Sequence, residues 1–365
     1  MTTTELAAGA DRDASKNNTP PSRSRWCLGT RLLVGATGAW LAFFALHAAL
    51  TGRWWLWLVV EATPPVGFVV VPLALLAVTP LARPVRRPLS LVLLIVLVAG
   101  GALAGFYPRT TDATPTNGIT LKIFSWNTDI WHMADEPREF YAYLQRQRAD
   151  VYLLQEYLYW GTGPVRINDL KRLREALPGY HVAVEGELIT VSRFPIVATH
   201  QRRLPETDNA WYWRGNKAQR TDIRVAGRAL SLYNVHLQVP FRVEHSPLTG
   251  EFYRFLRKQH ADRQAELSAL RTDIARNPKP VLVAGDFNSP WMDSLVRLDS
   301  RVRRHDPDSG VLPARSWPVH DYPLPRLWRL DWLFTSSEVT VTEHRLGPSQ
   351  GLSDHAAQHI RLLLP

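Results

Sequence analysis

The residues best suited to chemistry stand where apolar stretches of the chain end. The clearest case is the β-branched run Val281–Ala284, which stops at Gly285 and is followed by Asp286 and Asn288. Side chains alternate along a strand, so Asp286 and Asn288 are predicted to point to one side and Phe287 to the other. A carboxylate beside an amide can orient a water molecule against a phosphorus centre. The same residues are common turn formers, so this stretch alone does not distinguish a catalytic site from a strand cap.

The same arrangement recurs along the last two-thirds of the chain. The further polar groups at predicted strand ends are Asn127 with Asp129, Glu156, His236, Asp331, and Asp354 with His355. Taken alone, Asp129 is more simply interpreted as a helix cap and His236 as a satisfied core histidine. If the strands share sheets, all these groups converge on one cleft. The only cysteine is Cys27, so a thiolate zinc site is excluded, and carboxylate ligands favour Mg²⁺ or Mn²⁺.

The elements that position these groups are predicted from the hydropathy pattern. Strands are predicted over residues 119–126, 150–156, 181–185, 188–192, 196–203, 220–225, 229–238, 330–334, 339–343 and 360–364, in addition to the strand before Asp286. Helices are predicted over 137–148 and 166–177 and within 250–277. Because helices separate only a few of the strands, the pattern favours an α+β sandwich over a doubly wound parallel sheet.

Three apolar segments precede this region. Residues 32–50, 54–79 and 89–107 are each close to the about 20 residues that a membrane-spanning helix needs, and only the second carries a charge, Glu61. The alternative is that they are buried helices of a soluble core. The sequence thus predicts four regions, which are a disordered cytoplasmic tail (1–31), three transmembrane helices (32–107), a linker (108–118) and a soluble domain (119–365).

Charge sets the predicted orientation of these segments. Lysine and arginine are concentrated before the first segment and between the second and third, whereas the first connection offers only Arg53. The positive-inside rule then places the soluble domain outside the cytoplasm. We expect a multi-pass protein of the cell membrane with the lipid bilayer as a partner.

The motifs of the soluble region, taken together, resemble the endonuclease/exonuclease/phosphatase (deoxyribonuclease I-like) superfamily. Ser-Trp-Asn-x-Asp, Leu-Gln-Glu, Asn-Val-His-Leu, Gly-Asp-Phe-Asn, Leu-Asp-Trp and Ser-Asp-His follow one another in the family's order over residues 119–365. The resemblance implies a four-layered α/β sandwich. It also implies a divalent-metal-dependent hydrolase of phosphate ester or anhydride bonds, with Mg²⁺ as the metal and Mn²⁺ as the alternative.

The resemblance also implies a role for each polar group. The metal ligands are then Glu156, assisted by Asp129 and Asp354. The groups that bind phosphate, hold water or move protons are then Asp286, His355 with its partner Asp331, His236, Asn288 and Asn127. Either Asp286 or His355 is the general base, and the sequence leaves this choice open. Arg220 is expected to make an additional phosphate contact.

Membrane segments followed by such a domain resemble the bacterial membrane phosphatases associated with glycopeptide resistance, which act on undecaprenyl pyrophosphate. This resemblance implies a lipid-linked pyrophosphate as the phosphorylated substrate. Two alternatives remain, an extracytoplasmic nuclease that cuts DNA or RNA and a catalytically inactive binding module. The soluble region has only a modest net positive charge, which argues weakly against nucleic acid, and its complete motif set argues against an inactive module. The aromatic–basic patch of Trp211, Trp213, Arg214 and Lys217 can stack bases or lie against lipid headgroups, and we favour headgroups.

Overall fold

The computed structural model describes residues 26–106, 118–133, 136–200, 210–213, 217–240, 246–308, 312–319 and 322–364. The first 25 residues of the predicted tail lie outside this set. So do residues 108–117 of the predicted linker.

Apolar helices form the N-terminal region. They are α1 (Leu28–Leu50), α2 (Leu58–Glu61), α3 (Gly67–Val78) and α4 (Arg86–Leu103), with 3-10 turns at Trp55–Trp57 and Thr79–Leu81. Within the described residues, α1 and α4 are long and apolar enough to cross a membrane, and only 17% of each is buried.

The segment predicted as one helix over 54–79 is interrupted, which corrects that expectation. The chain leaves the helical path between Glu61 and Gly67, at Pro64 and Pro65. Proline has no backbone N–H and its ring clashes with the preceding turn, so two consecutive prolines stop a helix. The apolar helix that follows, Gly67–Leu81 with its 3-10 turn, is shorter than the two candidate spans.

The C-terminal region consists mainly of strands. They are β1 (Ile119–Asn127), β2 (Val151–Gln155), β3 (Leu158–Trp160), β4 (Pro164–Arg166), β5 (His181–Glu185), β6 (Leu188–Ser192), β7 (Ile196–His200), β8 (Ala218–Val225), β9 (Arg228–His236), β10 (Val281–Asp286), β11 (Val302–His305), β12 (Asp331–Ser336), β13 (Thr340–Gly347) and β14 (Ala357–Leu364). The helices between them are α5 (Pro137–Gln147), α6 (Leu170–Ala176), α7 (Ala210–Trp213) and α8 (Gly250–Arg276). The helix predicted over 166–177 begins only at Leu170, because residues 164–166 pair with β3 instead.

Two six-stranded sheets form the centre of the described C-terminal region. Their strand orders are β13-β14-β1-β2-β6-β5 and β11-β12-β10-β9-β8-β7. Leucines such as Leu153, Leu232 and Leu282 fill the space between the sheets. Burying each of them stabilises the fold by about 1.5–3 kcal/mol relative to leaving it exposed.

Helices cover the two outer faces of this sheet pair. Leu144 of α5 and Leu173 of α6 pack on the first sheet. Leu267, Leu270 and Ile274 of α8 pack on the second. The order helix, sheet, sheet, helix confirms the predicted α+β sandwich of four layers.

The strand register brings the polar strand ends together. In the second sheet β9 and β10 are parallel and place His236 opposite Asp286, while the antiparallel β12 places Asp331 on the other side of Asp286. In the first sheet β1 and β2 are parallel, and Asn127 pairs with Gln155, the residue before Glu156. Both sheets therefore present polar groups at a shared edge.

Candidate active site

Asp286 is the centre of the cluster at this edge. Its side chain is buried, and Oδ1 accepts a hydrogen bond from the Asn288 backbone N–H (2.7 Å). Oδ2 accepts from Nδ2 of Asn127 (3.1 Å) and Nδ2 of Asn288 (3.2 Å). Asn288 adopts a left-handed backbone (φ 46°), which turns its amide back toward the carboxylate. Burial raises the pKa of Asp286, and the Asp331 carboxylate acts in the same direction against the two histidines.

His355 and Asp331 form a buried pair beside Asp286. Nδ1 of His355 is hydrogen-bonded to Oδ2 of Asp331 at 2.8 Å, and Nε2 lies 3.6 Å from Oδ2 of Asp286. Burial alone would lower the pKa of this imidazole. The carboxylates of Asp331, Asp286 and Asp354 more than offset that effect and raise the pKa of His355 well above its ordinary value.

Asp354 is anchored by an indole. Its Oδ2 accepts a hydrogen bond from Nε1 of Trp317 (2.7 Å), while Oδ1 lies 3.9 Å from Nε2 of His355. The hydroxyl of Ser353 donates to the Asn127 carbonyl (2.7 Å) and accepts from the His355 backbone N–H (3.0 Å). These bonds tie the Ser-Asp-His motif to the end of β1.

His236 occupies the opposite side of Asp286. Its Nε2 lies 3.6 Å from Oδ2 of Asp286 and 3.8 Å from Oε1 of Glu156, and its Nδ1 lies 3.1 Å from Oε2 of Glu187. Burial opposes the charged imidazole, but Glu187 favours it, and the pKa of His236 is raised. Glu187 in turn forms a buried ion pair with Lys217. Asp286 therefore lies between two histidines, each of which has a carboxylate behind it.

Glu187 is a residue of the site that its sequence context does not predict. It stands in the two-residue turn between β5 and β6, where a charged residue is typical of a solvated loop. Nothing local marks it as functional, because its partners His236 and Lys217 come from a different sheet. The sequence shows only a charged residue in a tight turn, and its burial becomes visible only in the fold.

Two basic residues have other roles than those predicted. Lys217 was assigned to an exposed aromatic–basic patch, but it is buried, paired with Glu187 and placed 3.8 Å from the ring centroid of Tyr212. Arg220 was expected to contact phosphate, but its guanidinium binds Asp222 and Asp273 on the α8 side of the sheet. Trp211 and Trp213 lie in α7, and Arg214 is outside the described residues.

Glu156 approaches the cluster from the first sheet. Its Oε1 accepts from Nδ2 of Asn127 (3.1 Å) and its Oε2 from the Ile130 backbone N–H (2.8 Å). Glu156 has φ 64° and Asp129 has φ 52°, a left-handed backbone that costs a non-glycine residue about 1–3 kcal/mol. Burial raises the pKa of Glu156, and the carboxylates of Glu187 and Asp354 add to this effect. The backbone is thus held in an unfavourable conformation at a point where negative charges gather, which is typical of a functional site.

The donor set fits a hard divalent cation. The predicted ligands Glu156, Asp129 and Asp354 offer carboxylate oxygens, and Glu156 and Asp354 are close enough to repel each other. Within the described residues, the ligand atoms that lie within 4.8 Å of one another come from Asp286, Asp331 and His355, and not from the three predicted ligands. In that group Nδ1 of His355 is already bonded to Asp331, so it is better suited to hold or move a proton. A cation beside Glu156 would relieve the repulsion between the carboxylates.

Fold and site together define a hydrolase acting on a phosphorus centre. Residues 117–355 match the model of the Endonuclease/Exonuclease/phosphatase family, and the chain belongs to that family. Its members are hydrolases of phosphate esters and generally depend on a divalent metal. The resemblance inferred from the motifs is confirmed.

Solved structures similar to this chain include proteins with different activities in their names. They are humanized D. rerio TDP2 (19% identity, 67% of this chain and 98% of that one, TM-score 0.48), a mannosyl-6-phosphatase of Bacteroides thetaiotaomicron (15%, 67% and 100%, 0.45) and the beta toxin of Staphylococcus aureus (17%, 67% and 100%, 0.44). No curated protein matches the chain. Membership of the family rests on the family model.

Proposed function

We propose that the protein is a membrane-anchored, Mg²⁺-dependent phosphoesterase that hydrolyses a lipid-linked pyrophosphate at the outer face of the cell membrane. The supporting observation is that the phosphoesterase domain packs directly on the apolar N-terminal helices. Leu58 of α2 forms one buried cluster with Phe252 and Leu256 of α8, and Trp55 and Leu56 pack against it. A domain held in this way meets membrane-borne substrates at a high effective concentration.

A second contact fixes the same arrangement. Nε2 of Gln264, two turns further along α8, donates to the backbone carbonyl of Gly52 (2.6 Å), in the turn after α1. The N–H of Gly52 in turn donates to Oε1 of Glu61 (2.7 Å) at the end of α2. The first turn between apolar helices is therefore bonded both to the next helix and to the catalytic domain.

The chemistry follows from the cluster. Glu156, Asp129 and Asp354 would hold the cation, which when bound neutralises charge on the phosphoryl oxygens. The amides of Asn127 and Asn288 orient the attacking water or the phosphate. Because Oδ2 of Asp286 lies 3.6 Å from Nε2 of both His236 and His355, a proton from the water can be held within this group. His236 donates to a phosphoryl oxygen or to the leaving phosphate. Either Asp286 or His355 is the base, and if Asp286 is the base, His355 also donates to the phosphoryl oxygens.

The substrate is tested with purified full-length protein in mixed micelles containing Mg²⁺. One arm contains a polyprenyl pyrophosphate and the other plasmid DNA, with the Asp286→Asn protein as the matched control in both. We expect phosphate release from the lipid to exceed DNA cleavage by at least about tenfold. DNA cleavage faster than phosphate release from the lipid would show that the protein is a nuclease and not a lipid phosphatase. Equal background rates in both arms for wild type and variant would indicate a binding module.

The outer-face location requires three crossings, since two would return the domain to the side of the amino terminus. We propose that residues 54–81 form the middle crossing as a broken helix, and that α1 and α4 form the others. Alkaline phosphatase fused after Pro365 should be active in intact cells, and a fluorescent cytoplasmic reporter at the same position should be dark. The reverse result would place the domain in the cytoplasm.

A further inference from the structure

We propose that the break between α2 and α3 is a structural part of the active site, with Trp291 and Trp328 as positioning residues. The hypothesis depends on the metal role assigned above to Asp354. It does not depend on a lipid substrate or on the side of the membrane. Its basis is a pair of hydrogen bonds between the break and two loops of the catalytic domain.

The two bonds have neighbouring acceptors. Nε1 of Trp291 donates to the carbonyl of Glu61 (2.8 Å), and Nε1 of Trp328 donates to the carbonyl of Ala62 (2.8 Å). In a continuous helix these carbonyls would accept from backbone N–H groups three or four residues further on. For Glu61 both of those positions are prolines, Pro64 and Pro65, which have no N–H. The proline pair therefore leaves this carbonyl free, and the catalytic domain supplies the missing donor.

Trp291 fixes the loop that carries Asn288. The indole is fully buried, and its ring makes edge-to-face contacts with His47 of α1 (4.4 Å between centroids) and Phe68 of α3 (5.3 Å). Trp291 follows Asn288 by three residues, and the Ser289 carbonyl between them accepts from Nε1 of Trp332 (2.8 Å). The position of Asn288, and through it the amide on Asp286, is thus set partly by the N-terminal helices.

Trp328 connects the break to the predicted metal ligand Asp354. Its backbone pairs with that of Trp317 (N to O distances of 3.0 and 3.1 Å), and the two rings lie 5.5 Å apart. Trp317 donates to Asp354 through Nε1 (2.7 Å). A continuous path therefore runs from Ala62 through Trp328 and Trp317 to Asp354. Partners behind a metal ligand fix its orientation, and losing one typically weakens metal binding about 10–100-fold.

The test uses the full-length protein and measures Mn²⁺ affinity by calorimetry or electron paramagnetic resonance. Trp328→Phe and Trp291→Phe keep the aromatic ring and remove the N–H. We expect Trp328→Phe to raise the Kd for Mn²⁺ about tenfold, because its path ends at Asp354. Trp291→Phe, whose path ends at Asn288, should instead lower kcat about tenfold at saturating metal and leave the Kd for Mn²⁺ unchanged. Trp328→Phe should keep most of its kcat toward a small soluble phosphate ester at saturating metal, because its effect acts through Asp354. Trp54→Phe, an exposed tryptophan of the same apolar region, is the matched control and should bind Mn²⁺ like wild type.

A second variant acts on the acceptor instead of the donor. The double substitution Pro64→Ala and Pro65→Ala gives the Glu61 carbonyl a helical N–H partner that competes with Trp291. It should lower kcat as Trp291→Phe does, with the Kd for Mn²⁺ of wild type, and combining the two should add little. A Kd for Mn²⁺ within twofold of wild type in Trp328→Phe, together with wild-type kcat in Trp291→Phe and in the proline variant, would overturn the proposal. A normal Kd in Glu156→Gln would instead overturn the metal assignment itself.

Discussion

Two buried carboxylates of the catalytic domain have opposite surroundings. Asp222, on β8, accepts hydrogen bonds from Nζ of Lys279 (2.6 Å), the hydroxyl of Ser231 (2.6 Å) and Nε of Arg220 (3.2 Å), and it lies 2.9 Å from Nε2 of His200. Burial alone would raise its pKa. These donors more than offset burial and hold the pKa of Asp222 well below its ordinary value.

Asp286 is equally buried in the same sheet, yet its pKa is raised. It shares the cleft with the carboxylates of Asp331, Glu156 and Asp354. Among the described residues its cationic partners within 4 Å are His236 and His355, and the Arg263 guanidinium acts on it only from a greater distance. A carboxylate with surplus donors stabilises the fold, whereas a group of carboxylates with too few cations is costly to assemble. Such groups of carboxylates are typical of functional sites. The number of positively charged partners around each buried carboxylate therefore distinguishes the structural cluster of Asp222 from the catalytic cluster of Asp286.

The largest effect is expected at the catalytic cluster. Asp286→Asn and His355→Ala should each lower kcat by about 10²-fold or more, because each removes a positioned acid–base group. Steady-state hydrolysis by purified variants at saturating Mg²⁺ measures this. Turnover near wild type in both variants would remove Asp286 and His355 from the mechanism.

The same Asp286→Asn variant should lose less stability than Asp222→Asn. A raised pKa means that the ionised carboxylate opposes folding, fully so above the raised pKa and not at all below about pH 4, where both states are protonated. In chelator at pH 7 the loss in its free energy of unfolding in urea should therefore be smaller than that of Asp222→Asn, because removing the charge offsets part of the cost of the lost acceptor. A loss as large as that of Asp222→Asn would show that Asp286 is mainly structural.

Metal binding should show the next largest effect. Glu156→Gln removes one ligand charge and should raise the Kd for Mn²⁺ at least about tenfold, as measured by calorimetry. Glu175→Gln, on the exposed side of α6, makes the same chemical change away from the cleft and serves as the control. Equal affinities in the two variants would contradict the ligand assignment.

Asp222→Asn should have the opposite phenotype to Asp286→Asn. It should destabilise the protein by about 1–3 kcal/mol at pH 7, because buried donors lose their charged acceptor, while kcat per folded molecule stays unchanged. Since the pKa of Asp222 is lowered in the folded state, its contribution is complete above about pH 4 and is lost as the pH falls further. Urea unfolding between pH 7 and pH 3 should show the deficit shrinking. A deficit independent of pH would mean that charge is not its source.

The smallest effect is expected for Lys279→Met. Asp222 keeps Arg220 and Ser231, and the Lys279 side chain is 33% exposed, so water screens its ion pair. The loss in the free energy of unfolding should be at most about 1 kcal/mol, with unchanged kcat. A loss as large as that of Asp222→Asn would show that the cluster depends on this one cation.

Local patterns predicted most of the fold. The strands at 181–185 and 188–192 have the predicted bounds, and α8 lies within the predicted range 250–277. An apolar run bounded by turn residues predicts a strand or helix from a few neighbouring residues alone. β11 was missed because its Val-Arg-Arg-His sequence has almost no apolar content. The second apolar segment was predicted as one helix because its hydropathy outweighed the signal of Pro64 and Pro65.

The sequence predicts that those site residues which stand at strand ends lie close together. Asp286, Asp331 and His236 fall opposite one another through register alone. Glu187, Trp317 and Trp328 could not be found in this way, since their contacts join residues that are distant in sequence. The role of each residue within the cluster is a prediction that the variants described above test.

The contact between α2 and α8 has a practical consequence for protein production. A fragment starting near residue 118 would leave Phe252, Leu256 and Trp291, all buried in the full chain, without the helices that cover them. Exposed apolar patches of this kind drive self-association. Such a fragment should therefore aggregate or need detergent, and replacing Phe252 and Leu256 by polar residues should restore its solubility.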